Sequence, residues 1–237
     1  MSDKILGILG GLGPLATVYF MDLIVKLTEA KKDQDHISMI VLNHAAIPDR
    51  TEFILDSTKP NPLPMMVEDA KKLQAAGADY VVMPCNTAHF FYEQIQKNIS
   101  IPMLNIIEET VKYATEKNSG IKKLGILATK GTVSAGAYQN MCEKFGIDWA
   151  VPSLNDEQSL MNIIYNQVKA GKEVNLTEFI RIIENMKAEG CDAVVLGCTE
   201  LSVINKDFEL NRDDVIDSLE VLAKRSIELC GKKVKVI

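Results

Sequence analysis

Residues Gly77-Ala-Asp-Tyr-Val-Val-Met-Pro-Cys85 and Gly190-Cys-Asp-Ala-Val-Val-Leu-Gly-Cys198 match without a gap. Leu6-Gly-Ile-Leu9 recurs as Leu124-Gly-Ile-Leu127, and Ile107-Glu108 is echoed by Ile216-Asp217, in the same order along the chain. Matches that keep their order are the mark of a duplicated unit. Short apolar runs at 4–9, 37–42, 79–83, 122–128 and 192–196 predict strands. The amphipathic stretches at 15–30, 63–76, 93–98, 132–145, 157–170 and 176–189 predict helices. Strands that are apolar throughout and alternate with helices imply parallel sheets covered on both faces. The predicted fold is α/β: two pseudo-symmetric, doubly wound domains with a cleft between them. The first takes residues 1–103 together with 209–237, whose helix near 217–230 packs back on it, and the second takes 104–208.

Composition removes several function classes. Twenty-six basic against 32 acidic side chains leave a net charge of −6. The only basic cluster, Lys232-Lys233-Val-Lys235, is too short for a phosphate backbone, so nucleic acid is not expected as a partner. No apolar run reaches 18 residues, so no membrane span is expected. The N-terminus carries Asp3 beside Lys4 and runs into a glycine loop, which reads as a first strand and not a secretory leader. The expected compartment is the cytoplasm, where five cysteines are free thiols and not a disulfide framework.

In a duplicated α/β chain a ligand is expected at the carboxyl ends of the strands. Cys85 and Cys198 stand there in matching positions, each followed by polar residues able to open a helix. A helix N-terminus lowers a thiol's pKa, so thiolate character is expected. Two like groups facing each other across a carbon acid suffice for racemisation, one taking a proton and the other supplying one. Cys142, Cys191 and Cys230 have no such placement and read as small buried hydrophobes. Thr129 ends the strand that echoes the first, so it points at the same cleft.

Met83-Pro-Cys85-Asn-Thr-Ala-His89, Gly197-Cys198-Thr-Glu-Leu201 and Gly10-Gly-Leu-Gly-Pro14 together resemble the aspartate/glutamate racemase family, over nearly the whole chain. The resemblance implies a cofactor-independent amino-acid racemase with an inter-domain site, Cys85 and Cys198 serving as the two bases. Pro48-Asp-Arg50-Thr51 and Val168-Lys169-Ala-Gly171 are similar to the aspartate branch, which implies that Arg50 and Lys169 contact the substrate's side-chain carboxylate. A guanidinium fork and an ammonium suit a dicarboxylic amino acid. The resemblance also assigns Asn86, Thr87 and Thr199 to the α-carboxylate and ammonium. Glutamate racemases carry His after the second Cys-Thr, so Glu200 favours the aspartate branch. A homodimer is the implied assembly.

Gly11-Leu-Gly13-Pro-Leu-Ala16 fits a dinucleotide fingerprint, yet the next strand ends in Asn43 where an acidic residue would bind ribose. No cofactor is therefore expected, and the backbone around Gly11 is read as a nest for the substrate carboxylate. His36, His44 and His89 lack metal-ligand spacing, so no metal is expected. Residues 43–62 show no periodic element and read as a lid carrying Arg50. The expected activity is interconversion of L- and D-aspartate. The alternatives are glutamate or broad-specificity racemisation, a maleate isomerase or malonate decarboxylase relative, and a non-enzymatic amino-acid-binding module.

Overall fold

The structure, a computed structural model, describes residues 4–117 and 120–235. The first three residues of the N-terminal segment assigned above to a strand, and 118, 119, 236 and 237, lie outside the described residues. Two parallel sheets form. In the first, β1 (Ile5–Gly10) lies between β2 (Ser38–Asn43) and β3 (Tyr80–Val82). In the second, β4 (Lys123–Ala128) lies between β5 (Asp148–Ala150) and β6 (Ala193–Gly197), and β7 (Val215–Asp217) pairs with the far side of β6. One topology thus occurs twice, with the Leu-Gly-Ile-Leu echo on both central strands.

The echo has a packing cause. Leu6, Ile8, Leu124 and Ile126 have no exposed surface, because both faces of each sheet are covered. A Cβ at Gly7 would lie 2.9 Å from the Ala78 Cβ, and one at Gly125 would lie 3.1 Å from the Met186 Cε, so glycine lets a neighbour close on each central strand. The longer echo is also structural. Gly77 and Gly190 follow α3 (Leu63–Ala75) and α9 (Leu176–Ala188) with φ of +95° and +85°, the left-handed stop that glycine gives a helix. The third echo is not structural: Ile107 lies in α5 (Ile106–Lys117) and Ile216 in β7. The counterpart of the β6–β7 pairing is a bridge between Val81 and Met103.

One buried cluster, containing Leu6, Phe20 and Ile24 with Leu124, Ile126 and Leu222, joins α1 (Pro14–Leu27), α5 and α11 (Ser218–Leu229) to both sheets. Each such fully buried side chain contributes about 1.5–3 kcal/mol. Separate clusters cover the remaining sheet faces, one including Met66, Leu73 and Ile95, the other Ile163, Phe179 and Ile182. The segment 209–237, expected with the first unit, is shared: β7 completes the second sheet, and α11 sits in the common core.

Three elements depart from the sequence reading in ways that shape the site. The region 43–62 contains α2 (Arg50–Leu55), capped by Asp49, whose Oδ1 accepts the Glu52 N–H at 2.9 Å. The helix expected over 132–145 is broken into α6 (Lys130–Ser134) and α7 (Ala137–Lys144) at Gly136, φ +67°. The helix expected over 157–170 is α8 (Leu154–Met161) followed by a π-helical segment, Asn162–Val168. Among the described residues no helix is long and apolar enough to cross a membrane.

Candidate active site

Cys85 lies three residues beyond β3, and Cys198 caps α10 (Thr199–Asp207) directly after β6. Both line one tight pocket with only about 10 Å³ of free volume, with Leu12, Asp49, Arg50, Thr51, Asn86, Thr87, Thr129, Tyr165, Lys169, Thr199 and Glu200 completing its wall. An adjoining outer groove of about 390 Å³ shares Asp49, Arg50, Lys169 and Glu200 with it. A larger concavity, about 690 Å³ among Tyr19, Tyr113, Lys206 and Arg212, contains no cysteine and none of the expected site residues.

The two thiols differ in their surroundings. Cys198 Sγ donates to Glu200 Oε2 at 2.9 Å. Burial pushes the Cys198 thiol well above its usual value, and the Glu200 carboxylate raises it further against the pull of Lys169. Burial also raises the Cys85 thiol, but there Arg50 and a hydrogen bond from the Ala88 backbone oppose the rise. The expected lowering by helix-start donors is therefore corrected. The donors are present at both cysteines, and loss of water in a closed cavity outweighs them. Cys142, Cys191 and Cys230 are buried free thiols outside this cavity, as their reading as small hydrophobes implied.

Arg50, only 8% exposed, begins α2. Its guanidinium donates to three backbone carbonyls, those of Ile47 (3.4 Å), Pro48 (3.1 Å) and Leu12 (3.1 Å), while its Nε–H has no partner. Among the described residues no carboxylate pairs with it, which leaves a buried cation uncompensated. Lys169 ends the π segment, its N–H bonded to the Ile164 carbonyl five residues back at 3.0 Å. Its Nζ lies 3.7 Å from Glu200 Oε1 and 4.5 Å from the centre of the Tyr165 ring. Burial opposes the Lys169 charge, but Glu200 and its other neighbours hold the ammonium above its usual pKa.

The polar wall separates into free and committed groups. Thr87, Thr129 and Thr132 form a closed triangle of hydroxyls with edges of 2.9, 2.9 and 3.0 Å, tying the turn after Cys85 to the start of α6. Asn86 lines the cavity but is braced at both ends: Oδ1 accepts from Tyr138 at 2.7 Å, and Nδ2 donates to Ser218 at 3.0 Å. Thr199 donates to Glu200 Oε2 at 3.3 Å. Gly11 requires a correction. It lines the outer groove and not the inner cavity, and its N–H donates to Thr17 Oγ1 at 2.9 Å, so it offers no nest to a carboxylate. Glycine stands there because a Cβ would meet the His44 backbone at 2.3 Å.

His89 of the Asn-Thr-Ala-His run supports the site from outside the cavity. Its Nδ1 pairs with the Cys85 carbonyl at 2.8 Å, and Nε2 accepts the Ile106 N–H at 3.2 Å. The second contact makes Nε2 the acceptor, so Nδ1 carries the proton, and burial lowers its pKa to about 4. Among the described residues no group of three or more His, Cys, Asp or Glu is placed to hold a metal ion.

Four residues of the wall, Leu12, Asp49, Thr51 and Tyr165, were not among the expected site residues. Tyr165 lies in the stretch 157–170 expected as one regular helix. Asp49 carried a readable signal, the Asp49-Arg-Thr-Glu52 spacing of an N-cap followed by an acidic residue at the third helical position.

Residues 9–225 match the family described as Asp/Glu/Hydantoin racemase. The chain belongs to that family. The chain is similar to the broad specificity amino-acid racemase RacX of Bacillus subtilis, 29% identical over 94% of this chain and 96% of the relative. The glutamate racemase of Aquifex pyrophilus is 33% identical over 66% of this chain and 61% of its own length. Among solved racemase structures, the Picrophilus torridus aspartate racemase superposes with a TM-score of 0.82 at 33% identity, covering 98% of this chain and 96% of its own. An aspartate racemase homologue from Pyrococcus horikoshii OT3 gives 0.77 at 27%, covering 97% and 99%. The racemase neighbours share the two-domain α/β fold.

Proposed function

We propose that the protein interconverts L- and D-aspartate by transfer of the Cα proton between two cysteines, with no cofactor. One observation carries this reading: two buried thiols and a buried guanidinium with no carboxylate partner among the described residues line one pocket. Arg50 and Lys169 give the side-chain carboxylate of the substrate its cationic partners. Cys85, whose rise Arg50 and Lys169 oppose, is the thiol of the pair that ionises first, and as thiolate it takes the Cα proton. The electron pair left on Cα moves into the α-carboxylate. Cys198 delivers its S–H proton to the opposite face, which leaves Cys85 as thiol and Cys198 as thiolate. The next substrate of the opposite hand meets the pair in that reversed state.

The similarity to an aspartate racemase structure at 33% identity supports aspartate, and the RacX relative keeps a broader range in view. Racemisation rates on L-aspartate, L-glutamate, L-alanine and L-homoserine, each without added cofactor, separate the two. Aspartate fastest by an order of magnitude or more supports the proposal. Comparable rates on alanine and homoserine make the protein a broad-range racemase and leave Arg50 and Lys169 without their assigned role.

A further inference from the structure

The wall of the pocket contains an aromatic residue with no assigned role. Tyr165 lies within the π-helical segment Asn162–Val168, and π turns are rare and concentrate at functional sites. Here the segment presents both Tyr165 and Lys169 to the cavity. The Lys169 ammonium stands 4.5 Å from the ring centre, inside the range of a cation–π contact. The phenol shares this wall with Thr51, which follows Arg50 on α2. The backbone there fits closely: a Cβ on Gly131 of α6 would approach the Thr51 Cα to 2.9 Å. The ring thus lines the same wall as the element that carries the other substrate-binding cation.

Among the described residues the carboxylate paired with Lys169 is Glu200, at 3.7 Å. A substrate carboxylate arriving at the mouth competes with Glu200 for that ammonium. A lysine side chain released from its partner regains the freedom of four rotatable bonds, and ordering it again costs affinity. An aromatic face attracts the ammonium without competing as an anion, so it can hold Lys169 while its carboxylate partner is exchanged.

We infer that Tyr165 is the positioning residue for substrate side-chain recognition: its ring keeps the Lys169 ammonium at the mouth of the cavity, ready for the β-carboxylate of aspartate. This rests on the reading of the site as a dicarboxylic amino-acid racemase. Its signature is a loss in KM with a much smaller change in turnover, because the ring acts through the Lys169 ammonium. The ring, and not the hydroxyl, is the part that acts on Lys169.

Steady-state racemisation of aspartate by the full-length wild type, Tyr165→Leu, Tyr165→Phe, Lys169→Met and the Leu/Met double variant tests this. Tyr165→Leu should raise KM about tenfold with a much smaller change in kcat. Tyr165→Phe should restore KM to within about threefold of the wild type, and Tyr165→Leu should add little once Lys169 is Met. Tyr165→Met replaces the leucine variant should that one not fold. An unchanged KM in Tyr165→Leu, a loss confined to kcat, a phenylalanine variant as impaired as the leucine one, or full additivity with Lys169→Met would overturn the inference. A wild type that racemises neither aspartate nor glutamate defeats the proposed function itself, and this inference with it.

Discussion

The Cys198 thiol donates its proton to Glu200 Oε2 at 2.9 Å, and the other oxygen of that carboxylate lies 3.7 Å from Lys169. Among the described residues no carboxylate makes the matching contact to Cys85, which feels Arg50 instead. The duplicated halves thus place two cysteines in equivalent positions and give them opposite electrostatic neighbours. A carboxylate that accepts from a thiol favours the protonated form, whereas a guanidinium favours the thiolate. In a two-base reaction that asymmetry decides which group is ready to accept a proton in the resting enzyme.

The difference should be visible in alkylation. Peptide-resolved labelling with iodoacetamide as pH is raised should modify Cys85 before Cys198. Glu200→Gln removes the negative neighbour, so the Cys198 profile should move to lower pH by about one unit, a tenfold gain in thiolate at fixed pH. Equal profiles for the two cysteines in the wild type, or a Cys198 profile unmoved by the substitution, would contradict the asymmetry.

Burial holds the Cys85 and Cys198 thiols above their usual range. Below its pKa a thiol's ionised fraction rises tenfold per pH unit, so the reactive form increases with pH. The expected log kcat/KM therefore climbs with a slope near +1 from about pH 6 to about pH 8. A profile already flat or falling across that interval would show that the thiolate is established at lower pH than the burial of Cys85 allows.

Arg50→Lys keeps one positive charge but cannot reproduce a planar fork held by the carbonyls of Leu12, Ile47 and Pro48. Its kcat/KM for aspartate should fall by about 100-fold, close to 3 kcal/mol of transition-state stabilisation. Steady-state kinetics beside a thermal melt separates this from unfolding. A loss below about threefold would mean that the guanidinium serves only the turn it caps.

His89 links site geometry to stability. Its pKa, about 4 in the folded chain, lies below the usual 6.5. The unfolded chain therefore binds the proton first as pH falls. The stability this neutral imidazole provides is complete above about pH 6.5 and declines between there and about pH 4, by roughly 3 kcal/mol. Urea unfolding at about pH 7 and about pH 4.5 should show this decline, reduced in His89→Gln. An identical pH dependence in both proteins would remove the role of His89 as a neutral bracket between Cys85 and Ile106.

The chain declared its strands, its duplication and its two thiols because those rest on local pattern: apolar runs, glycine stops and cysteines at matched strand ends. The weaker strands β5 and β7 escaped because three residues each, Asp148–Ala150 and Val215–Asp217, carry no period of their own and exist through their partners. Arg50 was legible as a residue but not as a buried helix start. Tyr165 was hidden because a π segment differs from an α-helix in its hydrogen bonds, which no apolar spacing records. The depressed thiol pKa was a sound inference from helix-start donors, reversed by a burial that only the closed cavity reveals. Gly11 shows the opposite error: its sequence context allowed a nest, but packing against His44 and the bond to Thr17 already account for it.

The most direct test of two-base transfer between Cys85 and Cys198 is the isotope content of the first product formed from L-aspartate in D2O. Proton loss to one thiol and delivery from the other, whose S–H has exchanged with solvent, requires that D-aspartate carry deuterium at Cα from the earliest time points while the remaining L-aspartate keeps its protium. Chiral separation followed by mass spectrometry reads both pools. D-aspartate that retains the original protium, or L-aspartate that gains deuterium as fast as product appears, would mean that a single group moves the proton and would contradict the assignment of Cys85 and Cys198 as opposed base and acid.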